Sequence, residues 1–353
     1  MADMFACAAC GAALTVPVSR VAVPAHARQR YGHGLLPGLM EAGTYAVETE
    51  PYGPPWRRWD EVGAEEAAAQ GVFAPVPALS YGPSGSIVLA PGDTRDTVVI
   101  PDRTDGLCCG TDGRDGPNLA CEGCGEPVAT LVDDCGHWQA VRFVPHAVHR
   151  LPGGARAARL AWEDLAEQWP ATPPVEQQGY WSPQWEAAVG AALAHVLAAS
   201  AGVPVAVPDG LLTDTFGRAL RRLLPSGPQE RRLGLSGPGL PLPDPAPDIA
   251  LVPRHPQTGE VWQPPAGDLV AVPLYAEVWL HLAFARERSL LPVTGGMPAG
   301  ELRDDPLPPR PWELFRPDRQ VFADTLVRLP AVRLPWLREI YDRFRDRGYT
   351  APF

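Results

Sequence analysis

Two short cysteine pairs, far apart in the chain, are the residues whose spacing most clearly predicts chemistry. CAACG occupies 7–11 and CEGCG occupies 121–125. Two thiolates separated by two residues converge on one ion only where the backbone turns sharply, and a glycine after the second cysteine supplies the left-handed conformation that completes the turn. Four thiolates form the closed tetrahedral set of a structural site. We therefore predict one zinc ion bound by Cys7, Cys10, Cys121 and Cys124.

The two turns resemble the zinc knuckles of zinc-ribbon proteins. The resemblance covers each C-x-x-C-G and the few residues after it, and it implies a structural zinc ion held by both knuckles. This chain departs from the zinc-ribbon pattern in one respect. The knuckles of a ribbon are separated by tens of residues at most, whereas here the whole segment 12–120 lies between them.

A redox dithiol or a pair of buried thiols is the alternative interpretation of each C-x-x-C. A redox pair is typically found at the start of a helix, where the helix dipole lowers the pKa of the first thiol. Both pairs here precede β-like sequence instead, ALTVPV in 13–18 and EPVATLV in 126–132. The pattern therefore favours one shared zinc ion.

The other three cysteines leave several interpretations open. Cys108 and Cys109 are adjacent, and Cys135 lies two residues before His137. These four residues could form a second zinc site, or Cys108 or Cys109 could replace one knuckle thiolate. Side chains of neighbouring residues in an extended chain point apart, which disfavours a shared ion. We therefore favour the third interpretation, in which the three cysteines are small buried residues.

Composition indicates a globular chain and excludes several chemistries. The 353 residues are 45% hydrophobic and 20% charged, and all 30 basic residues are arginine, as expected from a bacterial genome of high GC content. Without lysine there is no Schiff base, no phosphate-loop lysine and no Ser-Lys pair. The net charge of -11 predicts no gel shift of generic nucleic acid at physiological salt, because such binding needs a basic surface.

Location is predicted from what the sequence lacks. The beginning of the chain has no basic leader before an apolar run, and no apolar stretch reaches the roughly 18–20 residues of a membrane span. Paired cysteines in a chain without an export signal favour metal binding over disulfides. We expect a cytoplasmic protein that does not bind membranes.

The N-terminal part of the chain, 1–155, is predicted to be a β-rich domain. Strands at 86–90 and 97–101 flank a polar stretch and predict a hairpin. A second strand pair is predicted at 126–134 and 137–144. Asp60 is expected to cap a short helix over 61–70 that ends at Gly71.

A Pro-rich linker is predicted at 156–180, and an α/β domain at 181–353. Ser182 and Pro183 begin a helix over 183–199, a strand follows at 203–207, and a helix over 211–224 comes next. Later segments predict two buried strands, a strand that passes into a helix, a loop at 291–311 and two amphipathic C-terminal helices. The predicted fold class is α+β, with a β-rich N-terminal domain held by a four-cysteine zinc site and an α/β C-terminal domain.

Two classes of function remain compatible with the sequence. We favour a protein-binding or assembly module whose zinc ion shapes a partner surface. The reason is that no catalytic set of nucleophile, base and orienting group can be identified from the sequence. The alternative is an enzyme with a purely structural zinc ion and an active site in 181–353. There, Asp248, Arg254 and His255 are the residues that we assign to a cleft, since His255 follows a predicted strand and active sites of α/β folds collect at strand ends.

Overall fold

The computed structural model describes residues 2–346 except 105, 107, 152, 154–158, 177–178, 229, 242–243, 265–268 and 286–310. Its contacts divide the chain into two compact units, Met1–Leu160 with Pro256–Gly259 and Ala161–His255 with Glu260–Phe353. This division falls inside the stretch predicted to be a linker. Every helix within the described residues is too short or too polar to cross a membrane.

The first unit is built mainly from strands. They are β1 (Met4–Cys7), β2 (Ser19–Arg20), β3 (Thr44–Glu48), β4 (Trp56–Arg58), β5 (Ala78–Ser80), β6 (Ser86–Leu89), β7 (Thr97–Val99), β8 (Leu119–Cys121), β9 (Pro127–Val132), β10 (Ala140–Phe143) and β11 (Val148–Leu151). Among its described residues, the α-helical segments are the short α1 (Trp59–Val62) and α2 (Ala64–Ala69). A seven-stranded sheet has the order β2-β3-β6-β10-β9-β8-β7, and β1 pairs with β11 and β4 with β5.

The sheet confirms one predicted strand pair and corrects another. β9 and β10 are antiparallel neighbours, as predicted for 126–134 and 137–144. The predicted strands at 86–90 and 97–101 exist as β6 and β7, but the hairpin between them is wrong. β6 lies between β3 and β10, and β7 lies at the far end of the sheet beside β8. A 3-10 turn at Pro91–Asp93 and the left-handed Asp96 (φ 48°) lead the chain away from β6.

The helix predicted over 61–70 is divided in two. Gly63, with φ at 80°, interrupts it between α1 and α2. Asp60 lies inside α1 and does not cap it, because the helix already begins at Trp59. The predicted end of the helix is confirmed, since α2 ends at Ala69 and Gly71 has φ at 74°.

The second unit is a parallel sheet with helices. Its strands are β12 (Val205–Ala206), β13 (Arg231–Leu235), β14 (Ile249–Arg254) and β15 (Val270–Tyr275), in that spatial order. Its helices are α3 (Leu165–Gln168), α4 (Pro183–Ser200), α5 (Arg218–Leu223), α6 (Ala276–Phe284), α7 (Arg319–Leu326) and α8 (Pro335–Asp346). A π-helical turn at Thr213–Gly217 precedes α5. The mixture of helix and strand confirms the predicted α+β class.

Sequence patterning explains the centre of this unit. β14 is an apolar run with five of its six residues buried, as expected of a parallel strand between two neighbours. α4 packs on β15 and α7, and its buried residues, four of its seven alanines among them, lie around most of its circumference. The predicted loop at 291–311 lies, apart from Pro311, outside the described residues.

A buried histidine makes the stability of the first unit depend on pH. His26 is 6% exposed, and its ring lies 4.5 Å from that of Trp138. Burial lowers the pKa of His26 to about 4, against a smaller raising effect of a hydrogen bond with the Leu39 backbone. The unfolded chain therefore binds the proton more readily than the folded one, and stability that is complete above pH 6.5 is lost as pH falls towards 4.

We predict that lowering the pH from 7.5 to 5 decreases the free energy of unfolding by about 2 kcal/mol through His26 alone. The measurement is urea unfolding of the wild type and of His26→Gln at both pH values. The pH-dependent loss of stability should be smaller in His26→Gln by about that amount. An equal loss in the two proteins would contradict the assignment.

Candidate metal centre

Each cysteine pair forms a tight turn at the end of a strand. Cys7 is the last residue of β1, and Cys121 is the last residue of β8. Gly11 and Gly125 both have positive φ, 79° and 75°, which an L side chain disfavours. The same two backbone hydrogen bonds close each turn. In the first turn the Gly11 amide donates to the Cys7 carbonyl (2.9 Å) and the Cys7 amide to the Ala12 carbonyl (2.9 Å). In the second turn the Gly125 amide donates to the Cys121 carbonyl (2.8 Å) and the Cys121 amide to the Glu126 carbonyl (2.9 Å).

The two turns bring their four sulfur atoms together. Cys7 Sγ lies 3.6 Å from Cys124 Sγ, and Cys10 Sγ lies 3.6 Å from Cys121 Sγ. All four atoms lie within 4.8 Å of one another. A tetrahedral zinc ion with Zn–S bonds of about 2.3 Å implies sulfurs about 3.8 Å apart. A disulfide needs about 2.05 Å, so these thiols are unpaired and their spacing fits a bound metal ion.

The same four residues combine burial with exposure. Cys7 and Cys121 are fully buried and pack in the main core of the unit, whose members include Phe5, Leu14 and Leu119. Cys10 and Cys124 are exposed. The group could therefore hold a metal ion at the edge of the core, with two ligands anchored inside it.

Burial, amides of the turns and neighbouring sulfurs shift the pKa values of these thiols, and the net direction differs from one cysteine to the next. Burial raises the pKa of Cys7, but hydrogen bonds from two amides of its own turn and from the Cys124 and Cys10 sulfurs together outweigh burial, and its pKa is lowered. Burial, and then contact with Cys10, raises the pKa of Cys121. The Glu126 amide lowers the pKa of Cys124, but burial and the other three thiols raise it to about 12. A divalent cation among the sulfurs would reverse this penalty on negative charge.

One short segment contacts both the residues that follow the first turn and the second turn itself. The Arg95 amide donates to the Leu14 carbonyl (2.8 Å), and the Glu122 amide donates to the Asp96 carbonyl (2.9 Å). Thr94 forms a bridge with Thr15. The segment 94–96 therefore holds the two knuckles side by side through backbone bonds, in addition to any metal ion between them.

The structure places the remaining three cysteines together, but not as the sequence suggested. Cys108, Cys109 and Cys135 form a second group with His33 instead of His137. His33 Nδ1 lies 3.5 Å from Cys108 Sγ and 3.6 Å from Cys135 Sγ, and the sulfurs of Cys108 and Cys109 are 3.3 Å apart. The prediction that these cysteines are buried is wrong, since Cys108 and Cys109 are exposed and Cys135 is half-buried.

His137 is close to this group without joining it. Its Nδ1 lies 3.2 Å from the carbonyl oxygen of Cys135, and burial lowers its pKa. Nor does Cys108 or Cys109 replace a knuckle thiolate, because the two groups of four have no member in common. Adjacent Cys108 and Cys109 can belong to one group because the backbone bends at 108–110. The extended geometry that would point their side chains apart is therefore absent there.

The residues assigned to a cleft in the C-terminal part do not meet. Asp248 precedes β14, whereas Arg254 ends it and His255 follows, so the group is split between opposite ends of the strand. Asp248 accepts a hydrogen bond from the Arg232 amide (2.7 Å). His255 is fully buried, with its ring 4.9 Å from that of Trp162. These contacts are structural, and the cleft assignment is wrong.

A pocket of about 300 Å³ lies in the first unit, outside the part to which the enzyme alternative was assigned. Arg142 lines this pocket and forms an ion pair with Glu48. Its guanidinium carbon lies 4.3 Å from the centre of the Tyr52 ring. The arginine of this pocket is thus engaged by its neighbours in the fold.

Comparison of the chain with protein-family models, with curated proteins and with solved structures finds no match. Function is therefore inferred from the geometry of the two cysteine groups.

We predict that Cys121→Ser lowers the metal content by about one ion per chain and loosens the first unit. The loss should expose the arm 1–20 to protease, because one of the knuckle contacts that hold Cys7 and Cys10 disappears. The half from 181 onward should stay folded, since no cysteine lies beyond Cys135. Limited proteolysis with mass spectrometry and elemental analysis measure both effects.

Ala9→Ser is the matched control, because Ala9 is an exposed residue of the first turn and offers no ligand. It should keep both the metal content and the protease resistance of the wild type. If the C-terminal half of Cys121→Ser is digested as quickly as its N-terminal arm, the prediction that the half from 181 onward stays folded is wrong. Unchanged metal content in that variant would contradict the site.

Proposed function

We propose that this chain is a zinc-binding protein in which Cys7, Cys10, Cys121 and Cys124 hold one structural zinc ion. The observation that carries the proposal is the convergence of four sulfurs from two turns with the same hydrogen bonds. A donor set of sulfur alone is soft, and such sets select zinc or iron–sulfur chemistry over magnesium and calcium. The zinc-knuckle form of the turns favours zinc, with all four positions closed and none left for a substrate.

We further propose that the first unit binds a protein partner. The supporting feature is β7, which ends the seven-stranded sheet and, among the described strands, pairs only with β8. Its side chains are unusually apolar for an exposed edge: Val98 is 44% and Val99 51% exposed. Edges of this kind accept an added strand from another protein.

The hydrogen-bond pattern identifies which groups a partner strand would meet. The Asp96 carbonyl accepts from Glu122, and the Ile100 amide donates to Asn118, so these positions face β8. In an antiparallel pair the direction alternates, which turns the amides and carbonyls of Thr97 and Val99 towards the open edge. Because Thr97 lies opposite Cys121, the first residue of the second knuckle, the zinc site would fix the position of this edge.

The test is Val99→Pro, which removes the outward amide but leaves the bonds to β8 in place. Val99→Thr, which keeps that amide, is the matched control. The tagged full-length chain and both variants are cross-linked and purified from the cells that produce it. We expect a stoichiometric protein partner with the wild type and Val99→Thr, and its loss with Val99→Pro.

Equal recovery with Val99→Pro would overturn the β7 assignment. Absence of any stoichiometric partner would overturn the protein-binding role and leave the zinc site standing.

A further inference from the structure

The second cysteine group is built on a fixed frame of three loops. The first two loops are joined directly: the Tyr31 amide donates to the Gly136 carbonyl (3.1 Å), and the Gly136 amide donates to the Gly34 carbonyl (2.8 Å). A Cβ atom at Gly136 would lie 2.1 Å from the Tyr31 carbonyl oxygen, so only glycine permits this approach. The result is that His33 and Cys135 are held facing each other.

The third loop, which carries Cys108 and Cys109, is attached to the same turn. The Thr111 amide donates to the Asp133 carbonyl (3.2 Å), and the Asp133 amide donates to the Thr111 carbonyl (2.8 Å). A Cβ atom at Gly110 would lie 1.9 Å from the Asp133 carbonyl oxygen. Backbone contact as close as this brings the adjacent cysteines to Cys135.

A buried carboxylate orders the backbone beneath the sulfurs. One oxygen of Asp134, Oδ1, accepts hydrogen bonds from the amides of Cys109 (2.7 Å), Gly110 (3.0 Å) and Cys135 (2.8 Å). Asp134 is only 3% exposed. Groups that orient the ligand-bearing backbone in this way are typical of the outer shell of metal sites. Its negative charge also favours a cation nearby.

Three thiols and an imidazole within 4.8 Å of one another are the donor set of a zinc site with three cysteines and one histidine. Clustered thiolates repel each other unless a cation lies between them. The sulfurs of Cys108 and Cys109, at 3.3 Å, are too far apart for a disulfide. Each donor comes from a loop whose position is set by hydrogen bonds independent of the first site.

We propose that His33, Cys108, Cys109 and Cys135 form a second metal site, which binds one zinc ion through three thiolates and one imidazole. Each thiol releases its proton to solvent as the ion binds, and no change of oxidation state is involved. Because this site lacks the fully buried ligands of the first, its ion exchanges with solvent chelators faster. The chain thus holds one closed structural ion and one accessible ion.

The test compares His33→Ala with His137→Ala in the full-length protein. Proteins are loaded with zinc under reducing conditions, desalted, and titrated with a chromogenic chelator. We expect the wild type to yield about two ions per chain, one released before the other. His33→Ala and Cys135→Ser should lose the faster ion, whereas His137→Ala should keep both. Cys121→Ser should lose the slower ion and keep the faster one.

Cobalt substitution supplies a spectroscopic readout. The cobalt spectrum of Cys121→Ser reports the second site alone, with its three thiolates and one imidazole. Adding His33→Ala to that variant should alter the visible bands. Circular dichroism checks that each variant folds. If Cys135→Ser does not fold, His33→Ala still tests the site, because His33 lies in an exposed loop.

Several outcomes would overturn the proposal. The first is a single ion per chain that is lost in Cys121→Ser but retained in His33→Ala. The second is loss of the faster ion in His137→Ala alone. The third is a Cys108–Cys109 disulfide in freshly purified protein. The first of these would leave the structural site of the proposed function intact, so the two proposals fail separately.

Discussion

The constraint that organises the candidate metal centre is the meeting of four sulfur atoms at the ends of β1 and β8. It joins residues 7–10 to residues 121–124 and closes a loop that contains most of the unit. The entropic cost of closing a loop grows only logarithmically with its length, so a single ion can tie segments this distant in sequence. Because Cys7 and Cys121 also belong to the apolar core, the four-cysteine group is anchored in that core.

One member of each cysteine group flanks β9. Cys124 lies just before β9, and Cys135 lies just after it, so the two groups occupy the connections at opposite ends of β9. A structural zinc ion contributes on the order of 10 kcal/mol to a small domain that has no fold without it. Here a seven-stranded sheet and its core supply stability of their own. Removal of an ion bound by the four cysteines would therefore loosen the knuckles more than the sheet.

The convergence of Cys7, Cys10, Cys121 and Cys124 could be predicted from sequence because each cysteine turn is set locally. C-x-x-C-G sets the turn, the sulfur spacing and the need for Gly11 and Gly125 within five residues, and only the partnering of the two turns requires the fold. β9, β10 and α4 are equally predictable, because strand propensity and a proline at the first position of a helix act over a few residues.

The features that could not be predicted depend on long-range pairing. His33 is 75 residues from Cys108 in the chain, and no spacing rule connects the two. The preference for small buried cysteines over a second metal site rests partly on an extended backbone at Cys108 and Cys109, but the chain bends at 108–110. The wrong hairpin between β6 and β7 has the same cause, since both strands pair with partners distant in sequence.

X-ray absorption at the zinc edge tests the central claim most directly. The sample is the double variant His33→Ala/Cys135→Ser, in which only the group of Cys7, Cys10, Cys121 and Cys124 keeps all of its donors. We expect a shell of sulfur alone at about 2.3 Å, with four sulfurs per zinc ion. A shell that contains nitrogen or oxygen in place of any of these sulfurs, or protein that binds no zinc, would contradict the four-thiolate site.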